Sequence, residues 1–178
     1  MAALLMALPP GLQAALYWNK ACWQQGQWWG ALSGHWLHAD VGHLGWNLLA
    51  LVVIGSIIEQ HSRRLLLHSL VAGMLAVDLL LISGITAVER YCGLSGVINT
   101  LLFVALWLLW RQTHSKLVLV TAAAAVLKIL VELQTSQSLL TDISWPPFPA
   151  AHLAGLAATP LVIWYWHRRH DFTDAKGS

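Results

Sequence analysis

The chain has 178 residues, of which 57% are hydrophobic and only 10% charged, with a net charge of +2 and a mean hydropathy of +0.61. By length this is one domain, and it carries too little charge to solvate a globular surface, so a soluble protein is excluded and a polytopic all-α membrane protein is expected. Two cysteines, Cys22 and Cys92, exclude a disulfide scaffold and a four-cysteine metal site, and leave open whether the two are bridged.

Apolar segments follow in chain order at about 2–18, 41–58, 65–83, 93–110, 117–134 and 150–166, six expected spans of a single membrane domain over 1–178. The first is short and holds Pro9-Pro10 with no basic residue ahead of it, so it reads as an irregular span rather than a secretory signal. Arg63 and Arg64 follow the second span, Arg111 and Lys116 the fourth, and Arg168, Arg169 and Lys176 the sixth, against Lys20 and Arg90 on the other side and Lys128 inside a span. The side with more basic residues faces the cytoplasm. Both termini are then cytoplasmic, and the loops at 19–40, 84–92 and 135–149 face outward. Trp18, Trp23, Trp28, Trp29 and Trp36 around the first outer loop read as an interfacial aromatic belt.

Polar side chains inside a bilayer are costly and mark candidate sites. The stretch HADVGHLGWN sets His38, His43 and Asn47 at the outer start of the second span, with Asp40 placed to cap the helix. RYCGLSGVIN sets Ser95 and Asn99 at the outer start of the fourth span, and AAHLAGLAAT sets His152 at the outer start of the sixth. His43 and Asn47 are four apart and share a helix face, as do Ser95 and Asn99. The sixth span is almost all small residues, and Gly93 and Gly96 flank Ser95, so a close helix contact would bring His152 to Ser95. That is a nucleophile beside a base. Lys128 and Glu132, four apart in the fifth span, read either as a mutually neutralising pair, with Asp78 of the third span as a third member, or as a contact for a polar substrate or acceptor group. Taken singly, each feature has a plainer reading: Gly-x-Ser-Gly as packing, the histidines as structural residues or as haem ligands, and the charged residues as a transporter or proton relay built on Asp78, Lys128 and Glu132. No HExxH motif is present; neither a metal nor a cofactor is expected, and no nucleic-acid partner.

The combination resembles the rhomboid intramembrane serine proteases. It rests on His38-x4-His43-x3-Asn47 in the second span, Gly93-Leu94-Ser95-Gly96 in the fourth and His152 within AHLAG in the sixth, in that order over nearly the whole chain. Within that family, the short six-span chain, YCGLSGV and Lys128-x3-Glu132 most resemble the rhombosortase branch. The resemblance implies a six-helix transmembrane bundle in the bacterial inner membrane, with its active site opening toward the periplasm. The implied partners are membrane lipid and exported proteins with C-terminal Gly-Gly-type transmembrane anchors. Cleavage would end in hydrolysis or in transfer to a small lipid-derived nucleophile; a general rhomboid protease acting on single-span proteins is the alternative. Three positions depart from the family: Asn99 stands where an aromatic is common, Thr159 stands where Gly155-x3-Gly is common, and the first outer loop lacks a clear Trp-Arg pair.

With no carboxylate obviously placed to orient His152, the expected machinery is a Ser95–His152 dyad. Asn47, His43 and the Ser95 backbone N–H are the expected donors to the oxyanion, and His38, Gly93, Gly96 and Asn99 the supporting residues.

Overall fold

The structure is a computed structural model that describes residues 2–139 and 145–174. Lys176, and residues 140–144 of the outer loop expected at 135–149, lie outside the described residues.

The first expected span is two short helices, α1 (Ala2–Met6) and α2 (Pro10–Leu16). The break falls at Pro9, whose extended backbone is followed by Pro10 at the first helical position. Two adjacent prolines offer no N–H to a continuing helix, and the second bars the first from helical geometry. After a two-residue strand, β1 (Trp18–Asn19), come the short helices α3 (Lys20–Gln24) and α4 (Trp29–Ser33) and a 3-10 turn at Gly34–Trp36.

Five long helices follow: α5 (Val41–His61), α6 (Arg63–Ile82), α7 (Ser95–Thr113), α8 (Lys116–Thr135) and α9 (Pro149–Asp174). By length and apolarity α5, α6 and α8 can each cross a membrane, since 20 residues at about 1.5 Å each match the hydrocarbon thickness. Their boundaries are locally encoded. The Asp40 carboxylate accepts the His43 N–H at 2.7 Å, as expected for a cap. Ser62 and Ser115 accept from Leu65 and Leu117 at the starts of α6 and α8. Apolar residues such as Val52, Leu67, Val71, Leu75, Leu127 and Leu130 stay exposed on the outer faces of these helices, as a bilayer solvent permits.

In lipid, helices gain little from burying apolar surface against one another, so small residues that allow close approach decide the packing. The closest packing joins α7, α9 and α6. Gly155 of α9 lies against the Gly96 carbonyl of α7, where a Cβ would meet backbone. One turn further along α7, buried Thr100 donates its hydroxyl proton to the Gly155 carbonyl at 2.7 Å, and a Cβ on Gly73 of α6 would come within 2.7 Å of that same hydroxyl.

A second, short strand, β2 (Arg90–Tyr91), pairs antiparallel with β1, Trp18 opposite Tyr91 and Asn19 opposite Arg90. The loop at 19–40 is thereby pinned to the segment that leads into Ser95. Trp18 is consequently not part of an interfacial belt: it is 1% exposed and packs with Val77, Leu81, Tyr91 and Ala151. Trp28 and Trp29 remain exposed and suit an interface. Asp78 does not join Lys128 and Glu132. It pairs with buried His35 at 3.0 Å, tying the loop to α6, because the loop folds back over the C-terminal end of that helix.

Candidate active site

The polar groups gather around one cavity of about 460 Å³, whose lining includes His43, Asn47, Ser95, Asn99, Lys128 and His152. Ser95 is the first residue of α7 and His152 lies in the first turn of α9. The glycine contact between these helices sets their starts side by side, and His152 Nε2 lies 3.0 Å from Ser95 Oγ. At the other edge of the ring, His152 Nδ1 is 2.9 Å from Glu132 Oε2.

That second contact corrects the expectation that no carboxylate orients His152. The corresponding signal is present in the sequence: consecutive spans alternate in direction, so Glu132, near the end of α8, lies at the depth of Ser95 and His152 at the starts of α7 and α9. Glu132 is fully buried and accepts from Lys128 Nζ at 2.7 Å and from the Leu139 N–H at 3.0 Å. An ionised carboxylate only accepts hydrogen bonds, so the proton on this face of the imidazole sits on Nδ1 and the Nε2 lone pair faces the Ser95 hydroxyl.

His43 and Asn47 lie on the facing turns of α5, 8% and 6% exposed. Among the described residues, Asn47 Nδ2 and His43 Nδ1 have no hydrogen-bond partner. A buried amide donor left without a partner costs on the order of 1–3 kcal/mol, and unpartnered donors on residues that line a cavity suit a developing negative charge. The His43 ring lies directly on Gly93, where a Cβ would approach Cε1 to 2.8 Å, and Gly93 adopts a φ of +118°. Gly93 is therefore not a ridge on α7 but the turn before it, free of a side chain so that this ring can sit there. His38 meets the His43 ring edge-on at 5.0 Å, and burial pushes its pKa down to about 4, so it is neutral at physiological pH. Asn99 Nδ2 donates to the Ser95 carbonyl at 2.9 Å, spending its amide on its own helix.

Cys22 and Cys92 are both free thiols. Cys92 lines the cavity, but burial pushes its pKa to about 12, so it supplies almost no thiolate at neutral pH. Cys92→Ala is accordingly expected to leave labelling of the protein by a serine-directed fluorophosphonate unchanged, as read by in-gel fluorescence. The three acids and bases of a relay reading are not assembled: Asp78 is held by His35, apart from the Lys128–Glu132 pair.

A bundle of membrane-length helices holding a serine–histidine pair beside unpartnered donors has the makeup of a membrane-embedded serine hydrolase. The chain matches the Rhomboid domain over residues 25–169, which takes in all five long helices except the last turn of α9. It belongs to the rhomboid family, and that membership supports an intramembrane protease in general. No curated protein matches the chain.

Proposed function

We propose that the protein cleaves membrane-anchored substrates by covalent serine catalysis, with Ser95 as nucleophile and His152 as general base. The observation that carries this reading is the 3.0 Å approach of His152 Nε2 to Ser95 Oγ inside the cavity. Ser95 Oγ attacks the scissile carbonyl carbon as its proton passes to His152 Nε2. Negative charge collects on the former carbonyl oxygen, where Asn47, His43 and the Ser95 N–H donate. The C–N bond then breaks and the proton on His152 goes to the leaving amine. Water opens the acyl–serine ester, giving up its proton through His152 and leaving a free carboxylate; an amine in its place gives an amide. Asn47→Ala is expected to lower turnover by about 10²–10³-fold with little change in KM, since the donor acts on charge present only in the transition state.

The substrate reading is that of the rhombosortase branch: exported proteins with a C-terminal Gly-Gly-type anchor, cut near the outer face of a bacterial inner membrane. The resemblance in YCGLSGV and in Lys128-x3-Glu132 supports it, and so does helix physics. A substrate helix must unwind to reach Ser95, and each glycine lowers its helical stability by about 1 kcal/mol relative to alanine. The distribution of basic residues supports an outward-opening site.

The test is co-expression with an exported reporter carrying a Gly-Gly motif, an apolar segment and a basic tail, followed by mass spectrometry of the released product. Cleavage at Gly-Gly that requires Ser95 supports the reading, and the mass of the new C-terminus separates hydrolysis from transfer. A reporter left intact while a single-span substrate without Gly-Gly is cut overturns the anchor specificity in favour of a general rhomboid protease.

A further inference from the structure

We propose that Glu132 and Lys128 are positioning residues for His152, so that the site works as a serine–histidine–glutamate triad with a lysine clamp. This rests on the reading of Ser95 as nucleophile and His152 as base.

The two oxygens of the Glu132 carboxylate have separate contacts. Oε1 takes the Lys128 ammonium at 2.7 Å and the Leu139 N–H at 3.0 Å, whereas Oε2 faces His152 Nδ1 at 2.9 Å. A pair serving only to neutralise itself within α8 needs the first contact and has no use for the other two. Here a chain segment beyond the helix end and a side chain on another helix both converge on the one carboxylate. Glu132 is fully buried, whereas Lys128 retains 29% of its side-chain exposure and lines the cavity. The clamp on Oε1 leaves Oε2 one direction in which to point, and that direction fixes the plane of the imidazole.

Two chemical consequences follow. The accepting carboxylate keeps the proton on Nδ1, so the lone pair that Ser95 needs is always on Nε2. When the serine proton arrives on Nε2, the imidazolium forms 2.9 Å from an anion already in place, with no dipoles left to reorganise. The lysine holds the other carboxylate oxygen, so that Oε2 stays turned toward the ring. Among the described residues, the side chains in hydrogen-bond contact with the His152 ring are Glu132 and Ser95, while Lys128, His43, Arg90, Tyr91 and Cys92 line the same cavity.

The test measures the second-order rate of fluorophosphonate labelling, using the purified protein in detergent, with the melting temperature recorded for each variant. Labelling of the wild-type protein and its loss in Ser95→Ala establish the underlying reading independently. Glu132→Gln is then expected to slow labelling by about 100-fold or more, because an amide can present its N–H to Nδ1 and stabilise the wrong tautomer. Lys128→Met is expected to slow labelling by about 10-fold or more and Lys128→Arg to restore most of the rate, since the clamp on Oε1 needs a cation that reaches it. Because either single change leaves a buried charge without its partner, the charge-neutral double variant Lys128→Met with Glu132→Gln guards against misfolding as the cause. Slow labelling by that variant at a wild-type melting temperature supports the proposal. A wild-type rate for the double variant, or equal slowing in Lys128→Met and Lys128→Arg, overturns it and leaves Ser95 and His152 untouched.

Discussion

Ser95→Ala is expected to abolish covalent labelling and to reduce substrate cleavage by about 10⁴-fold or more, with His152→Ala falling nearly as far. The serine hydroxyl holds its proton at neutral pH and attacks only when a base removes it; within the described residues His152 Nε2, at 3.0 Å, is the base in contact with it. Because the two side chains act as one unit, the double variant should be no slower than the slower single one, which a cleavage time course would check. Additive losses would mean that the two residues act in separate steps. Ser95→Ala removes only a hydroxyl and should keep a melting temperature close to that of the wild type, whereas His152→Ala also takes a partner from buried Glu132 and should melt somewhat lower.

Gly155→Ala is the change with the next largest expected effect, although it adds only one methyl group, nearly a full helical turn along the chain from His152. The added Cβ would strike the Gly96 backbone carbonyl, and backbone cannot rotate aside as a flexible side chain can. Helices α7 and α9 must then separate, breaking the Thr100–Gly155 hydrogen bond and drawing His152 away from Ser95. Overpacking of this kind costs about 1–3 kcal/mol, and a misplacement near 1 Å at the reacting atoms costs about 100-fold in rate. The combination expected is a lowered melting temperature together with roughly 100-fold slower labelling. Gly45→Ala is the control: it lies in α5 with nothing within 4 Å of an added Cβ, and should change neither quantity.

Much of the site is legible along single helices, because four-residue spacing is itself geometry. His43 with Asn47, and Ser95 with Asn99, share faces wherever their helices pack, and the run of small residues after His152 marks α9 as a helix that a neighbour can approach closely. What local spacing misses is the direction in which a side chain is drawn by partners from elsewhere. Lys128 and Glu132 look self-sufficient at i and i+4, yet Glu132 also reaches His152, which lies on a different helix 20 residues away. Trp18 looks interfacial beside its exposed neighbours, yet strand pairing with Tyr91 turns it into the core. Thr100 is an ordinary helical threonine until α9 presents the Gly155 carbonyl to it.

The sequence by itself determined the solvent and the helices: too few charges for water, apolar runs long enough for a bilayer, capping residues at Asp40, Ser62 and Ser115, and a proline pair that breaks the first segment. These follow from composition and from interactions within a few residues, which a chain carries wherever it goes. Only the tertiary structure decided which acids serve which bases, setting Asp78 on His35 and Glu132 on His152. The reason is physical: in a low-dielectric interior each charge needs a partner within about 3 Å, and which partner comes that close depends on how glycines such as Gly96 and Gly155 let the helices meet.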